Sequence, residues 1–114
     1  MITDVKASEA NPDVTVIVMG GALDGLTADA DSAAIEEAAG KSTAGVLFDM
    51  TGVEFMGSAA LHVFLRIHGA FADTEKQMAF AGLKPAIYKM FKIARLDSMF
   101  ECFETQADAI KTFG

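Results

Sequence analysis

A chain of 114 residues has room for one domain, 1–114, and one core burying roughly two-thirds of its extended surface; at 52% hydrophobic and 22% charged with two prolines, its composition argues against disorder. The net charge of −7 argues against nucleic acid or an anionic membrane as the main partner, since both need a basic face. A single cysteine, Cys102, excludes an internal disulfide and any multi-cysteine zinc site.

No apolar run approaches the roughly 18 residues of a membrane span, and the start MITDVKASE has neither the basic residues nor the apolar core of a signal peptide. The expectation is a cytoplasmic protein with no membrane insertion. Its acidity is uneven: residues 1–57 carry ten acids against Lys6 and Lys41, a balance of −8, whereas residues 58–114 carry seven bases against six acids. Gathered on one face, those acids would suit a basic partner; dispersed, they only solvate the surface.

In chain order, Ile2 to Ser8 is short and mixed, as at a sheet edge. Asn11, Pro12 and Asp13 turn the chain into Val14 to Met19, a β-branched strand ended by Gly20 and Gly21, and the two strands make a hairpin. After the loop from Ala22 to Leu26, a helix capped by Thr27 or Ser32 turns Ala33, Ala34, Ile35 and Ala38 toward a core and ends at Gly40. Val46, Leu47 and Phe48 are apolar without alternation, which predicts a strand covered on both faces and closed by Asp49; Thr51, Gly52 and Val53 then turn the chain. Gly57 breaks the regularity, and Ser58 opens a helix to about Asp73 in which Leu61, Phe64, Leu65, Ile67, His68 and Phe71 recur at helical spacing.

Gln77 to Ala81 reads as a strand with Met78 and Phe80 on one side. Pro85 sits in the first turn of a third helix with Ile87, Met90, Phe91 and Ala94 along one face. Met99 to Phe103 is a last strand holding Cys102, and Thr105 caps a final helix through Lys111 with Asp108 in a capping-box-like position. The order β-β-α-β-α-β-α-β-α predicts one α/β domain: a mixed, mostly parallel sheet with right-handed crossovers and helices packed on it.

Ser58 is the residue with chemistry to offer. At a helix N-terminus it is either a cap or a phosphoacceptor, because the unpaired N–H groups and positive dipole end there welcome an anion. The residues alone favour the cap. His62, one turn on, does not make Ser58 a catalytic nucleophile, since no orienting group or oxyanion hole accompanies the pair. His62 and His68 form no metal motif, and Gly20, Gly21 and Gly25 lack the pattern of a phosphate cradle, so neither a cofactor nor a metal is expected. Lys84, Lys89, Lys92 and Arg95 gather around the third helix and read as a solvated face. Phe55 and Met56 read mostly as core, with Met56 at the loop tip as an adaptable contact for a partner.

Several segments together resemble the STAS domain, the family of bacterial anti-sigma factor antagonists and of related modules in transporters. The family's strand ending in Asp, its Gly-Val-x-Phe-Met loop and its Asp-Ser-Ser-Gly-Leu are matched by Asp49, Gly52, Val53, Phe55, Met56, Gly57, Ser58, Ala59, Ala60 and Leu61. Gly21 to Thr27 is similar to the family's Gly-Glu-Leu-Asp-x-x-Thr segment, while Gly82 to Ala86 and Leu96 to Phe100 resemble its later loop and Gly-Leu-Asp-x-x-Phe, with Arg95 where glycine is usual. The likeness implies a non-enzymatic module of bacterial transcription regulation and signalling. In that reading an anti-sigma kinase is the partner, Ser58 is the phosphoacceptor, and Asp24, Thr27, Met56, Gly57, Ser58, Ala59 and Ala60 form the partner surface. Gly57 replaces the family's acid, and Ala59 and Ala60 replace its Ser-Gly pair. Those departures lend weight to an alternative, an unphosphorylated STAS subunit of an ABC-type lipid or anion transporter that binds the transporter ATPase.

Overall fold

β-Branched and apolar runs form the strands and regularly spaced apolar residues the helices, within residues 2–9, 11–23, 25–72, 74–96 and 98–113 of a computed structural model, side chains being described at all of these except 3 and 25–32. The order is β1 (Ile2–Ala7), β2 (Val14–Leu23), α1 (Gly25–Lys41), β3 (Gly45–Met56), α2 (Ser58–Phe71), β4 (Gln77–Ala81), α3 (Pro85–Ile93), β5 (Glu101–Phe103) and α4 (Gln106–Ile110), closed by a 3-10 turn at Lys111–Phe113. The sheet runs β1-β2-β3-β4-β5, antiparallel at β1–β2 and parallel elsewhere. This is the expected mixed α/β architecture. In the hairpin turn, the Asn11 side chain accepts from the Asp13 N–H at 3.2 Å, the local bonding for which asparagine is favoured at turns.

Each parallel strand lies beside the one before it, so crossovers of one hand put the connecting helices on one face. Ile17 and Met19, Phe48 and Met50, and Met78 and Phe80 point to that face, where they pack with Ile35 of α1, Phe64 and Ile67 of α2, and Ile87 and Phe91 of α3. The intervening residues, Val16, Leu47, Ala79 and Ala81, face the other side and are covered by Ala109 and Phe113. The unbroken apolar run of the central strand therefore has its predicted cause. Phe80 is the hub of the larger core, its ring 5.1 Å from Phe48, 5.0 Å from Phe64, 5.2 Å from Phe91 and 5.1 Å from Phe100.

Several boundaries differ from expectation. β2 does not stop at Gly20 and Gly21, nor does β3 close at Asp49 and turn at Thr51. Both run on as a parallel pair to Leu23 and Met56, with register shifts between Val18 and Gly20 and between Gly21 and Ala22. α1 begins at Gly25, so Thr27 and Ser32 lie inside it rather than at its cap, and Ala33 and Ala34 face solvent while Ile35, Ala38 and Ala39 are buried. β5 starts at Glu101, leaving Met99 exposed, and Ala94, expected on one helix face with Ile87 and Phe91, is exposed as the C-cap of α3. The caps expected for the last two helices are present: Pro85 is in the first turn of α3, and the Thr105 hydroxyl accepts from the Asp108 N–H at 3.1 Å.

α3 ends in a Schellman motif. The Leu96 N–H donates to the Phe91 carbonyl at 2.8 Å and the Arg95 N–H to that of Lys92 at 3.0 Å, with Phe91 and Leu96 both buried in the larger core. The motif needs a left-handed residue after the cap, and Arg95 holds it at φ 61°.

Candidate docking site

Beyond Asp49, β3 loses β4 as a neighbour, because the β3–β4 pairing stops at Asp49 and Ala81. Gly82 then turns away at φ +71° with its backbone against Thr51, so close that a Cβ there would collide with the Thr51 hydroxyl. The Thr51 N–H and hydroxyl both donate to Asp49 Oδ1, at 3.0 and 2.6 Å, and the Gln106 side-chain amide donates to Oδ2. Burial alone would raise the pKa of Asp49. The hydrogen bonds from Thr51 and Gln106, with the charge of Lys6, outweigh it and hold the carboxyl below its ordinary value. Asp49 thus belongs to the scaffold that pins α4 to the sheet.

The freed ends of β2 and β3 form a two-stranded extension in which Met50, Val53 and Met56 are buried and Thr51, Gly52, Glu54 and Phe55 exposed. Leu23 pairs with Met56, and the Gly57 N–H donates to the Leu23 carbonyl at 2.8 Å. The helix start is thereby fixed one residue earlier than expected: Gly57, extended at φ −96° and ψ 174°, is the N-cap, and Ser58 is the first helical residue. Ser58 therefore does not cap α2. No side chain does, and the first turn carries no acid. The serine is exposed at the carboxyl end of the central strand, the end at which open α/β sheets bind ligands.

Of the expected partner surface, Ser58 is exposed and Gly57 and Ala59 half-buried. Met56 and Ala60 are not part of it: Met56 is fully buried and Ala60 nearly so, because both face the core beneath the helix start. Phe55 takes the place expected for Met56, with 54% of its surface open. No sequence period marks it as exposed: the register shifts along β2 turn Met50, Val53 and Met56 inward and leave Phe55 outside. Asp24 lies outside the described residues, as does the side chain of Thr27. The backbone of Thr27 is in the first turn of α1, which starts where β2 ends beside Met56, so the starts of α1 and α2 share one end of the sheet.

Some of the charged side chains are paired. Lys84 reaches Glu54 at 3.8 Å, Arg66 pairs with Glu36 and Lys41 with Glu37 at 2.8 Å each, so these acids of the first half are dispersed among partners. Lys92 lies over the Tyr88 ring at 5.7 Å. His62 is exposed one turn beyond Ser58, and His68 packs its ring 5.5 Å from Phe100. Among the described residues no three His, Cys, Asp or Glu side chains converge as metal ligands, and no helix is long and apolar enough to cross a membrane.

Sheet order, helix placement and the exposed serine at the start of the second helix define a class, the small α/β domain with an exposed serine at the carboxyl end of a central strand. A family model of the STAS domain matches residues 6–109, and the chain belongs to that family. No curated protein matches it in sequence. Among solved structures it is similar to an anti-sigma factor antagonist from Mycobacterium paratuberculosis, at 24% identity and TM-score 0.86, covering 99% of this chain and 94% of that one. It is similar to the Bacillus cell fate determinant SpoIIAA in the phosphorylated form, at 17% identity and TM-score 0.71, covering 97% and 100%. It is also similar to a sulfate transporter family protein from Wolinella succinogenes, at 10% identity and TM-score 0.77, covering 94% and 93%. At these identities the likeness is one of fold.

Proposed function

We propose that this chain is a non-enzymatic regulatory module that works by docking, as an anti-sigma factor antagonist in the bacterial cytoplasm. The unmodified protein binds an anti-sigma kinase and so frees a sigma factor; phosphorylation of Ser58 by that kinase weakens the complex. The observation that carries this reading is the exposed Ser58 hydroxyl on the first residue of α2, beside the exposed Phe55 ring, at a helix end closed by no side chain. A phosphate there would be stabilised by the helix dipole while adding about −1.5 to −2 charges to the docking surface. The phosphorylated Bacillus neighbour is in keeping with this. The partner contacts on this reading are Gly57, Ser58 and Ala59, flanked by Phe55 and by Thr27 in the first turn of α1, with Asp24 as a further contact.

Wild-type protein and Ser58→Glu serve as paired baits in a native lysate, followed by titration of the captured partner with Ser58→Ala and Ser58→Asp. Capture of an ATP-binding kinase by wild type alone, retained by Ser58→Ala and weakened by Ser58→Asp, is expected. Equal binding by both variants would refute the switch. A second reading is favoured by Gly57, which lacks the acid that the family places before its phosphoserine: a permanently unmodified transporter subunit, in keeping with the Wolinella neighbour. Capture of a transporter ATPase by both baits decides for it.

A further inference from the structure

β1 is the outer strand of the sheet, and residues 4–7 are exposed along it, Val5 with 44% of its surface open. Among the described residues no strand pairs with its outer edge. The Ser8 N–H donates inward to the Val14 carbonyl, and Lys6 and Asp4 face Val16 and Val18 in the same register, so Asp4, Lys6 and Ser8 turn their backbone groups toward β2. Val5 and Ala7 then turn theirs outward, a short ladder without a partner.

We propose that this edge pairs antiparallel with β1 of a second copy of the chain, about a two-fold axis through Val5, so that Asp4 of each copy faces Lys6 of the other. The charges select that register. A two-fold axis at Asp4 would set Asp4 against Asp4, and one at Lys6 would set Lys6 against Lys6; directly opposed like charges destabilise a ladder. An axis between two residues would match outward backbone groups with inward ones and close no ladder. Only the axis through Val5 joins the outward groups, pairs both charges with their opposites and packs Val5 on Val5, in the isologous arrangement that makes a closed dimer. Asp4 and Lys6 share the sheet face of Val16 and Val18, whereas Val5 shares that of Ile17, so the ionic and apolar contacts lie on opposite faces. The sheet would continue through ten strands across the pair, with Ser58, at the end of β3, left free in both copies.

An edge this short buries less than the roughly 1,200 Å² of a standard interface, so the dimer is weak and concentration-dependent. Sedimentation equilibrium on the full chain from about 10 µM to about 1 mM spans the affinities expected of such contacts. Asp4→Lys and Lys6→Asp should each weaken dimerisation by about tenfold or more, through two repulsive pairs in place of two attractive ones, and the double exchange should restore it. Val5→Pro removes an outward N–H that the monomer does not use and should abolish the dimer while thermal melting shows the fold intact. If Lys6→Asp disturbs folding through its neighbour Asp49, Asp4→Lys and Val5→Pro carry the test. A monomer at every concentration, or a dimer indifferent to Asp4→Lys and Val5→Pro, would overturn the proposal.

Discussion

Arg95 gives the sharpest test of the physical account of the fold. It occupies the left-handed position of the Schellman motif at φ 61°, where its Cβ crowds the following carbonyl at a cost of about 1–2 kcal/mol. Its side chain is exposed and has no ion-pair partner among the described residues. Arg95→Gly removes the crowding. Against that stand a freer unfolded chain, worth about 0.4–1 kcal/mol, and a lost cation near the C-terminus of α3, worth about 0.3 kcal/mol at an exposed site. The net expectation is a gain of about 0.5 kcal/mol, or about 2 °C in Tm for a domain of this size. Arg95→Ala keeps the crowding and loses the charge, so it should fall slightly below wild type and about 1 kcal/mol below Arg95→Gly. Urea unfolding followed by circular dichroism, with the slope unchanged among the three proteins, measures both differences. Glycine no more stable than alanine would refute the claim that this backbone is strained by its side chain.

Phe80→Ala should cost about 3–5 kcal/mol in urea unfolding, because it removes the ring that four other phenylalanines contact and leaves a cavity walled by strand and helix. Gly82→Ala should destabilise by about 1–3 kcal/mol, since it sets a Cβ against Thr51 at a positive φ; Thr51→Ala in the same chain should recover only part of the loss, which thermal melting would show. The lowered pKa of Asp49 stabilises the fold fully above the ordinary carboxylate range, and that contribution disappears as pH falls through the lower folded value. Asp49→Asn should therefore cost about 1–2 kcal/mol at neutral pH, from weakened bonds to Thr51 and Gln106, and its melting curve should converge on that of wild type in acid.

Much of this protein is decided within short stretches of chain. Val14 to Met19 and Val46 to Phe48 are strands because β-branched and apolar runs suit a pleated, covered surface, and Pro85 and Thr105 mark helix starts because they match the backbone needs of a first turn. The same runs predict parallel strands clothed by helices, and the family resemblance singled out Ser58. Spacing could not show that β3 continues to Met56. Apolar residues at 50, 53 and 56 follow neither the period of a strand nor that of a helix, and they become one buried line only through the register shifts along β2. Those shifts bury Met56, expose Phe55 and start α2 at Ser58 with Gly57 as its cap, so the surface at this helix start differs from the expected one although the motif is the same. The bond from Gln106 to Asp49 joins residues 57 apart in the chain, and it is α4 docking alone on the second face that brings them together. Local sequence sets which backbone shapes are cheap; which side chain is left for solvent depends on what the rest of the chain has already covered.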